Sequence, residues 1–329
     1  MINKKQSYGF SLVELMVAMV IGLIVMGGAF SMHSTTRTTQ KISEVQMDMV
    51  ADARFAIDII SYDLRHAGGW GGTNNDSFID CRSTDSDCAA APTTPTGDCA
   101  AAGDPTWSYN LDRPIFGADG TNDGNPYSGT CIPGSEKYVA GTDILEIRYA
   151  DSNLPTLRAG QAYIRSNFTS GSVFVGAAAP TLNAYDTSPL TKNHELHAYA
   201  YYVSNFTDAD GDGIPSLRRA ALVADVDGPS IQNQILISGV EDFQVQFGID
   251  ATGDDQIIDR YVDADVIADD DWDKVYAAKI WLLMRSDVTQ KNVKEKEFTL
   301  AGVEKTYGSN GFRYFLVTSV VNLRNLKQQ

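Results

Sequence analysis

The sequence predicts an α+β fold, a long amino-terminal α-helix packed on an antiparallel β-sheet head. Three observations carry that expectation. No proline interrupts the chain from Phe10 to Ala67, and apolar residues recur there at helical spacing. From Ile144 onward, short runs of β-branched and aromatic residues alternate with Gly- and Asp-rich turns. Between the two, over residues 68–138, hydrophobic periodicity is lost. One helix followed by many strands is the ordering of an α+β arrangement.

Composition narrows the function. The 329 residues suffice for two average domains or one large one, and 43% apolar residues are too many for a disordered chain. Lys and Arg total 26 against 42 Asp and Glu, a formal net charge of −16. With no basic face visible, nucleic acid is not an expected partner.

The amino terminus comes first in the chain and in information. Lys4 and Lys5 are the only charges before Gly9, and after Glu14 no charge occurs until Arg37. As a helix, Leu15 to Met32 is long enough to span a bilayer core of about 30 Å, with the lysines holding the amino end in the cytoplasm. A secretory signal would have a shorter apolar core followed by a small-residue cleavage site. Here the apolar run passes directly into a helical pattern. Glu14 is the odd residue, because a carboxylate in hydrocarbon costs on the order of 3 kcal/mol. At the headgroup level that cost is small; in a buried setting it needs a cation. Cleavage after Gly9 would supply one, the α-amino group of Phe10 on a neighbouring subunit.

The run Gly9-Phe10-Ser11-Leu12-Val13-Glu14-Leu15-Met16-Val17-Ala18-Met19 resembles the class III signal of type IV pilins and pseudopilins. The resemblance implies a leader over residues 1–9, cut after Gly9 by a prepilin peptidase. It further implies N-methylation of Phe10, and Glu14 as the carboxylate that sets register during assembly.

The helix is expected over residues 10–67, with 10–32 in the membrane. Its second half shows one apolar stripe, Ile42, Val45, Met49, Ala53, Ala56, Ile60 and Leu64, among polar positions such as Lys41, Glu44, Asp48, Asp52, Arg54 and Asp58. Gly68-Gly69 closes it as a C-cap would. Gly22, Gly27 and Gly28 either permit close helix approach or are simply tolerated.

Residues 68–138 read as an irregular insertion over the surface, rich in Gly, Asp, Asn, Thr and Pro. All four cysteines lie in it, none in a CxxC pair, so disulfides in an oxidising compartment are expected rather than zinc. Three pairings are open; the local one, Cys81–Cys88 with Cys99–Cys131, is the expectation.

The head, residues 139–329, has strand-like runs at 144–149, 198–203, 219–223, 240–247, 275–284 and 312–321. Within it, Gly239 to Asp250, Trp272 to Val275, Lys279 to Ser286 and Phe312 to Asn325 resemble PilW-type minor pilins. The insertion matches no pattern of that family.

Candidate chemistry is sparse. Asp208-Ala209-Asp210-Gly211-Asp212-Gly213 matches the first half of a calcium loop, but Arg219 stands where an EF-hand needs its bidentate Glu and Pro215 blocks the exit helix. A looser calcium site at Asp208, Asp210 and Asp212 is the one cofactor entertained; otherwise none is expected. The clusters Asp250, Asp254, Asp255, Asp259 and Asp269, Asp270, Asp271, Asp273 read as solvated loops. His194-Glu195-Leu196-His197 has three-residue spacing, not the four of a zincin helix. Asn167 and Asn205 head glycosylation sequons. No nucleophile elbow, P-loop or dinucleotide fingerprint occurs.

The resemblance therefore implies a minor pilin of a type IV pilus, structural rather than enzymatic, in the tip or initiation complex. Its implied partners are other minor and major pilins, the prepilin peptidase and the inner-membrane assembly platform. Its implied location is a single pass through the inner membrane with a periplasmic head, then the pilus. The alternatives are a type II secretion pseudopilin of the GspJ kind and a tip adhesin or ligand-binding module.

Overall fold

The structure, a computed structural model, describes residues 9–82, 85, 88, 91–100, 106–182, 184–291 and 293–326. The expected leader up to Tyr8, with Lys4 and Lys5, lies outside the described residues. The chain divides into two compact units, one through Asp48 and one from Met49 onward. The helix α1, Leu12–His66, contributes to both.

In the first unit α1 exposes its apolar residues from Leu12 to Met32. In the polar run that follows, the hydroxyls bond back along the helix. Thr35, Thr36, Thr38 and Thr39 each donate to the carbonyl four residues earlier, at 2.9–3.0 Å.

In the second unit the stripe Met49, Ala53, Ala56, Ile60 and Leu64 is buried, with Ile57 beside it. Gly68 ends the helix at φ +73°, where a side chain would be strained, and Gly69 N–H donates to the His66 carbonyl at 2.9 Å.

Strands β1 (Ile79–Asp80), β2 (Ile115–Ala118), β3 (Ile144–Ala150), β4 (Ala162–Ser166), β5 (Gly171–Val175), β6 (Lys192–Ser204), β7 (Ser216–Asp225) and β8 (Gly228–Ser238) form one sheet. β6 is its hub: β4 pairs with residues 192–195, β3 with 196–201 and β7 with 199–204. All its pairs are antiparallel except β1 with β5. A second sheet has the order β10 (Arg260–Val262), β9 (Val240–Ile249), β11 (Val275–Arg285), β14 (Tyr314–Asn322). A hairpin, β12 (Lys296–Leu300) with β13 (Val303–Tyr307), turns through Ala301 and Gly302, both at positive φ as a two-residue turn requires.

All six expected strands are present, and the head is mostly antiparallel as the sequence implied, divided into two sheets and a hairpin. The insertion differs from expectation. Far from lying loosely on the surface, it supplies β1, β2 and a large share of the core. Trp70, Ile79, Trp107, Tyr109, Leu111 and Ile132 are buried against Ile144, Ile164, Leu196 and Tyr202. These residues follow no period because they come from turns, and only the sheet gathers them.

The side-chain period of two divides the work of the sheet. Even-numbered residues of β6 (Leu196, Ala198, Ala200, Tyr202) face the insertion. Odd-numbered Tyr199 and Tyr201 belong to the helix side, where Tyr201 bonds Asp63.

Candidate assembly segment and head surfaces

Ser11 occupies the N-cap position of α1 and Glu14 its third turn residue, the spacing of a capping box. Glu14 Oε2 accepts from Ser11 N–H at 2.9 Å, and Leu15 N–H donates to the Ser11 carbonyl at 3.1 Å. Gly9-Phe10 precedes the helix as exposed chain. Glu14 is thus held by its own helix terminus, where the macrodipole favours a carboxylate. After it comes a segment whose 18-residue mean hydropathy is 2.3 and which is wholly uncovered. It is long and apolar enough to cross a membrane.

In the head, Asp63 fastens the helix to the sheet. Tyr149 O–H donates to Asp63 Oδ1 at 2.7 Å, Tyr201 O–H donates to Oδ2, and Arg219 lies 3.9 Å away. Burial raises the Asp63 carboxyl above the usual range and lowers His197 nearby. Burial also pushes Tyr199 up to about 12. Sequence reasoning passed over this cluster, although Asp63 stands three residues after Ile60 and therefore on the buried stripe.

The four cysteines pair as Cys81–Cys88 and Cys99–Cys131. Under them, Trp107 Nε1–H donates to Glu146 at 2.8 Å and Arg148 bonds the same carboxylate at 2.7 Å. The Arg148 guanidinium lies over the Trp107 ring at 4.6 Å. This buried ion pair ties the insertion to β3 through one carboxylate oxygen, Oε2, while Glu146 Oε1 is buried without a hydrogen-bond partner.

The Asp208–Gly213 turn does not gather its three carboxylates into a ligand set. Asp212 accepts backbone N–H groups of Thr207, Asp208 and Ile214 at 2.9–3.0 Å, and Asp210 pairs with Lys137 at 3.3 Å. Among the described residues, carboxylate oxygens converge instead at Asp250, Asp254 and Asp255. There Asp250 accepts from Gly253 N–H at 2.6 Å and Gln256 N–H at 2.8 Å, bonds that by themselves shape the loop. His194 and His197 point to opposite faces of β6: His194 Nδ1 meets the Asp151 carbonyl at 2.8 Å, whereas His197 Nδ1 meets Tyr199 Oη at 3.0 Å.

A cleft of about 530 Å³ opens between the insertion and the carboxyl end, bordered by Phe78, Phe168, Trp272, Asp76 and Asn325. Its polar groups are largely engaged, as when Asn325 donates to the Arg65 and His66 carbonyls. Arg82 bridges Asp76 and Asp112 at its rim, at 2.7 and 2.5 Å. Burial, then the neighbouring Asp112, pushes the Asp76 carboxyl up to about 6.

Residues 4–30 match the prokaryotic N-terminal methylation motif, and residues 200–325 match the type IV pilus-assembly protein W family. The chain thus joins an amino terminus similar to the methylation motif with a carboxyl region similar to the PilW family. The first match contains Gly9, Phe10 and Glu14; the second runs from the end of β6 through β14 and leaves the cysteine-bearing insertion outside both. A type IV-like pilin from Thermus thermophilus overlaps at a TM-score of 0.29 and 14% identity, over 58% of this chain and 83% of its own. An overlap that loose adds nothing to the fold described above. No curated protein matches the chain.

Proposed function

We propose that this PilW-type pilin is a minor, structural subunit of a type IV pilus, placed in its tip or initiation complex, and not an enzyme. The observation that carries the reading is the amino-terminal segment. A capped, uncovered apolar helix follows directly on Gly9-Phe10, a geometry useful only if lipid and then other helices cover it. The chain enters the inner membrane with its head in the periplasm, and prepilin peptidase cuts after Gly9 and methylates Phe10. Leaving lipid for the filament, Phe10 to Phe30 pack against helices of other minor and major pilins on the assembly platform. Glu14 then exchanges its bond to Ser11 for the amino group of a neighbouring Phe10. Such a buried pair fixes register rather than adding net stability, and either charge left alone is expensive.

Intact mass and amino-terminal sequencing of protein from membranes and from sheared surface filaments test this. A chain beginning at N-methyl-Phe10 in the filament fraction is expected. One beginning at Met1, or found only with a secretion system and never with pili, overturns it.

The exposed rings of Phe78 and Phe168 on the cleft favour a second reading, a tip adhesin. A Phe78→Ala, Phe168→Ala double variant that keeps its pili but loses attachment would select it. Deleting the insertion cannot make this distinction, because it would strip the core.

A further inference from the structure

The peptide groups of β14 can be sorted by direction. Ser286 N–H donates to the Arg313 carbonyl and Leu323 N–H to the Tyr276 carbonyl, both at 2.9 Å. With Tyr314 opposite Arg285 and Asn322 opposite Ala277, odd-numbered residues from 313 to 323 turn their peptide groups toward β11. Tyr314, Leu316, Thr318, Val320 and Asn322 therefore turn theirs away from the sheet. Among the described residues nothing bonds those outward groups. Thr318, Val320 and Asn322 are exposed, Val320 at 51%.

Other edges are blunted. β8 carries Gln232, Asn233 and Gln234, an irregular register against Leu217 and Arg218, and a bridge from Thr96 to Ser230. The β12–β13 hairpin is charged at Lys296, Glu297, Glu304 and Lys305. β1, β2 and β10 have only two, four and three residues. β14 has nine residues, Tyr-Phe-Leu-Val-Thr-Ser-Val-Val-Asn, with no charge, proline or bulge. An edge of that kind is a template for another strand.

We infer that the occupant is β14 of a second copy of this chain, antiparallel about a two-fold axis at Thr318. The register argues for self-pairing. Centred on Thr318, every outward peptide group meets an outward one, closing about ten hydrogen bonds. Leu316 faces Val320 of the second copy, Thr318 faces Thr318 and Tyr314 faces Asn322, so aliphatic meets aliphatic and hydroxyl meets hydroxyl. On the other side Phe315 meets Val321 and Val317 meets Ser319. Arg313 falls opposite Leu323, so no like charges oppose. The β12–β13 hairpin packs on one face of the sheet: over β9, Lys305 and Tyr307 bond Asp242 at 2.7 and 2.8 Å and Gln246 donates to the Ala301 carbonyl at 3.3 Å, and Phe298, Leu300 and Tyr307 cover Tyr314 and Leu316 at the start of β14. Among the described residues it makes no bond to the outward peptide groups of β14.

The test uses the full chain in detergent. The unaltered chain is expected to sediment as a concentration-dependent dimer. Air oxidation of a Thr318→Cys variant is expected to link two copies, since facing residues of such a pair lie about 5.5 Å apart at Cα. Thr318→Lys sets two ammonium groups face to face and is expected to weaken the dimer on the order of tenfold. Thr318→Pro removes only an outward N–H and should have the same effect, with the unfolding midpoint of the head held. A monomeric unaltered chain overturns the inference. So does a dimer indifferent to Thr318→Lys, which would place the joint in the apolar helix. So does a Thr318→Cys thiol that links only to a different protein. None of these outcomes depends on processing at Gly9, so this inference and the pilus reading fail separately.

Discussion

On one face of β3, β6 and β7, Tyr149, Tyr201 and Arg219 gather around Asp63 of the helix; on the other, Ile144, Leu196, Ala198 and Tyr202 meet the insertion. The helix side is closed by a regular element whose backbone satisfies itself and needs only a stripe and one polar clasp. The insertion side is closed by irregular chain, which must place each aromatic ring individually and hold its shape with two disulfides. Burial on the two sides is thus reached by different means. The irregular cover should be the fragile one.

The largest expected effect tests that directly. Trp107→Ala removes a buried ring together with the donor to Glu146 and the surface under Arg148, and should lower head stability by about 3–5 kcal/mol in chemical denaturation. Next come the disulfides. Opening Cys99–Cys131, which closes a loop of 32 residues, should cost about 4 kcal/mol; opening Cys81–Cys88, with a separation of 7, about 2 kcal/mol. Paired Cys→Ser variants measured side by side give the ratio, and equal losses would mean that strain rather than chain entropy governs. On the helix side, Asp63→Ala should cost about 2 kcal/mol, because two tyrosine hydroxyls lose their acceptor while a buried carboxylate is relieved. A loss exceeding that of Trp107→Ala would reverse the comparison.

The same contrast explains what the sequence made legible. The helix, its stripe and its Gly68 stop were readable because period and cap are local properties. The six strands with β-branched or aromatic runs were readable for the same reason. β4, β5 and β8 were not: β8 alternates apolar residues with Ser230, Gln232 and Gln234, and β4 and β5 are five residues each. β2 was hidden by Gly117, where a Cβ would meet the Phe247 ring at 2.7 Å, a requirement set by a residue 130 positions away. The amino-terminal segment was legible because Gly9, Phe10, Ser11 and Glu14 lie within six residues. Asp63 was legible in position but not in partners, since Tyr149 and Tyr201 come from distant strands.

Acidity sharpens the comparison further. Burial pushes Asp143 up to about 7 although it accepts from Gly120 N–H at 3.0 Å and Val245 N–H at 2.7 Å. A carboxyl raised on folding stabilises when protonated, so this contribution fades as pH rises from about 4 through about 7. His197, lowered by burial, works in the opposite sense: its contribution is present above the unfolded value near 6.5 and is lost as pH falls below it. Where both titrate the two slopes oppose, and above about pH 6.5 only the Asp143 loss remains, so thermal midpoints should fall as pH rises from there through about 7. Asp143→Asn should flatten the alkaline limb and lower the whole curve, because an amide cannot accept both N–H bonds; an unchanged alkaline limb would remove Asp143 as its cause.

The smallest effect is expected at the Asp208–Gly213 turn, which belongs to neither cover. Asp212 is exposed, and backbone N–H bonds hold its carboxyl below the usual range, Ile214 contributing most. Its role in this geometry is to brace the turn between β6 and β7. Asp212→Ala should therefore lower the thermal midpoint only slightly, and by the same amount with or without millimolar calcium. If calcium instead raises the midpoint of the unaltered chain and not that of the variant, the carboxylates regroup around an ion. If the rise survives Asp212→Ala but not Asp250→Asn, the ion sits where Asp250, Asp254 and Asp255 already converge, and the β9–β10 loop becomes the metal-dependent part of the head.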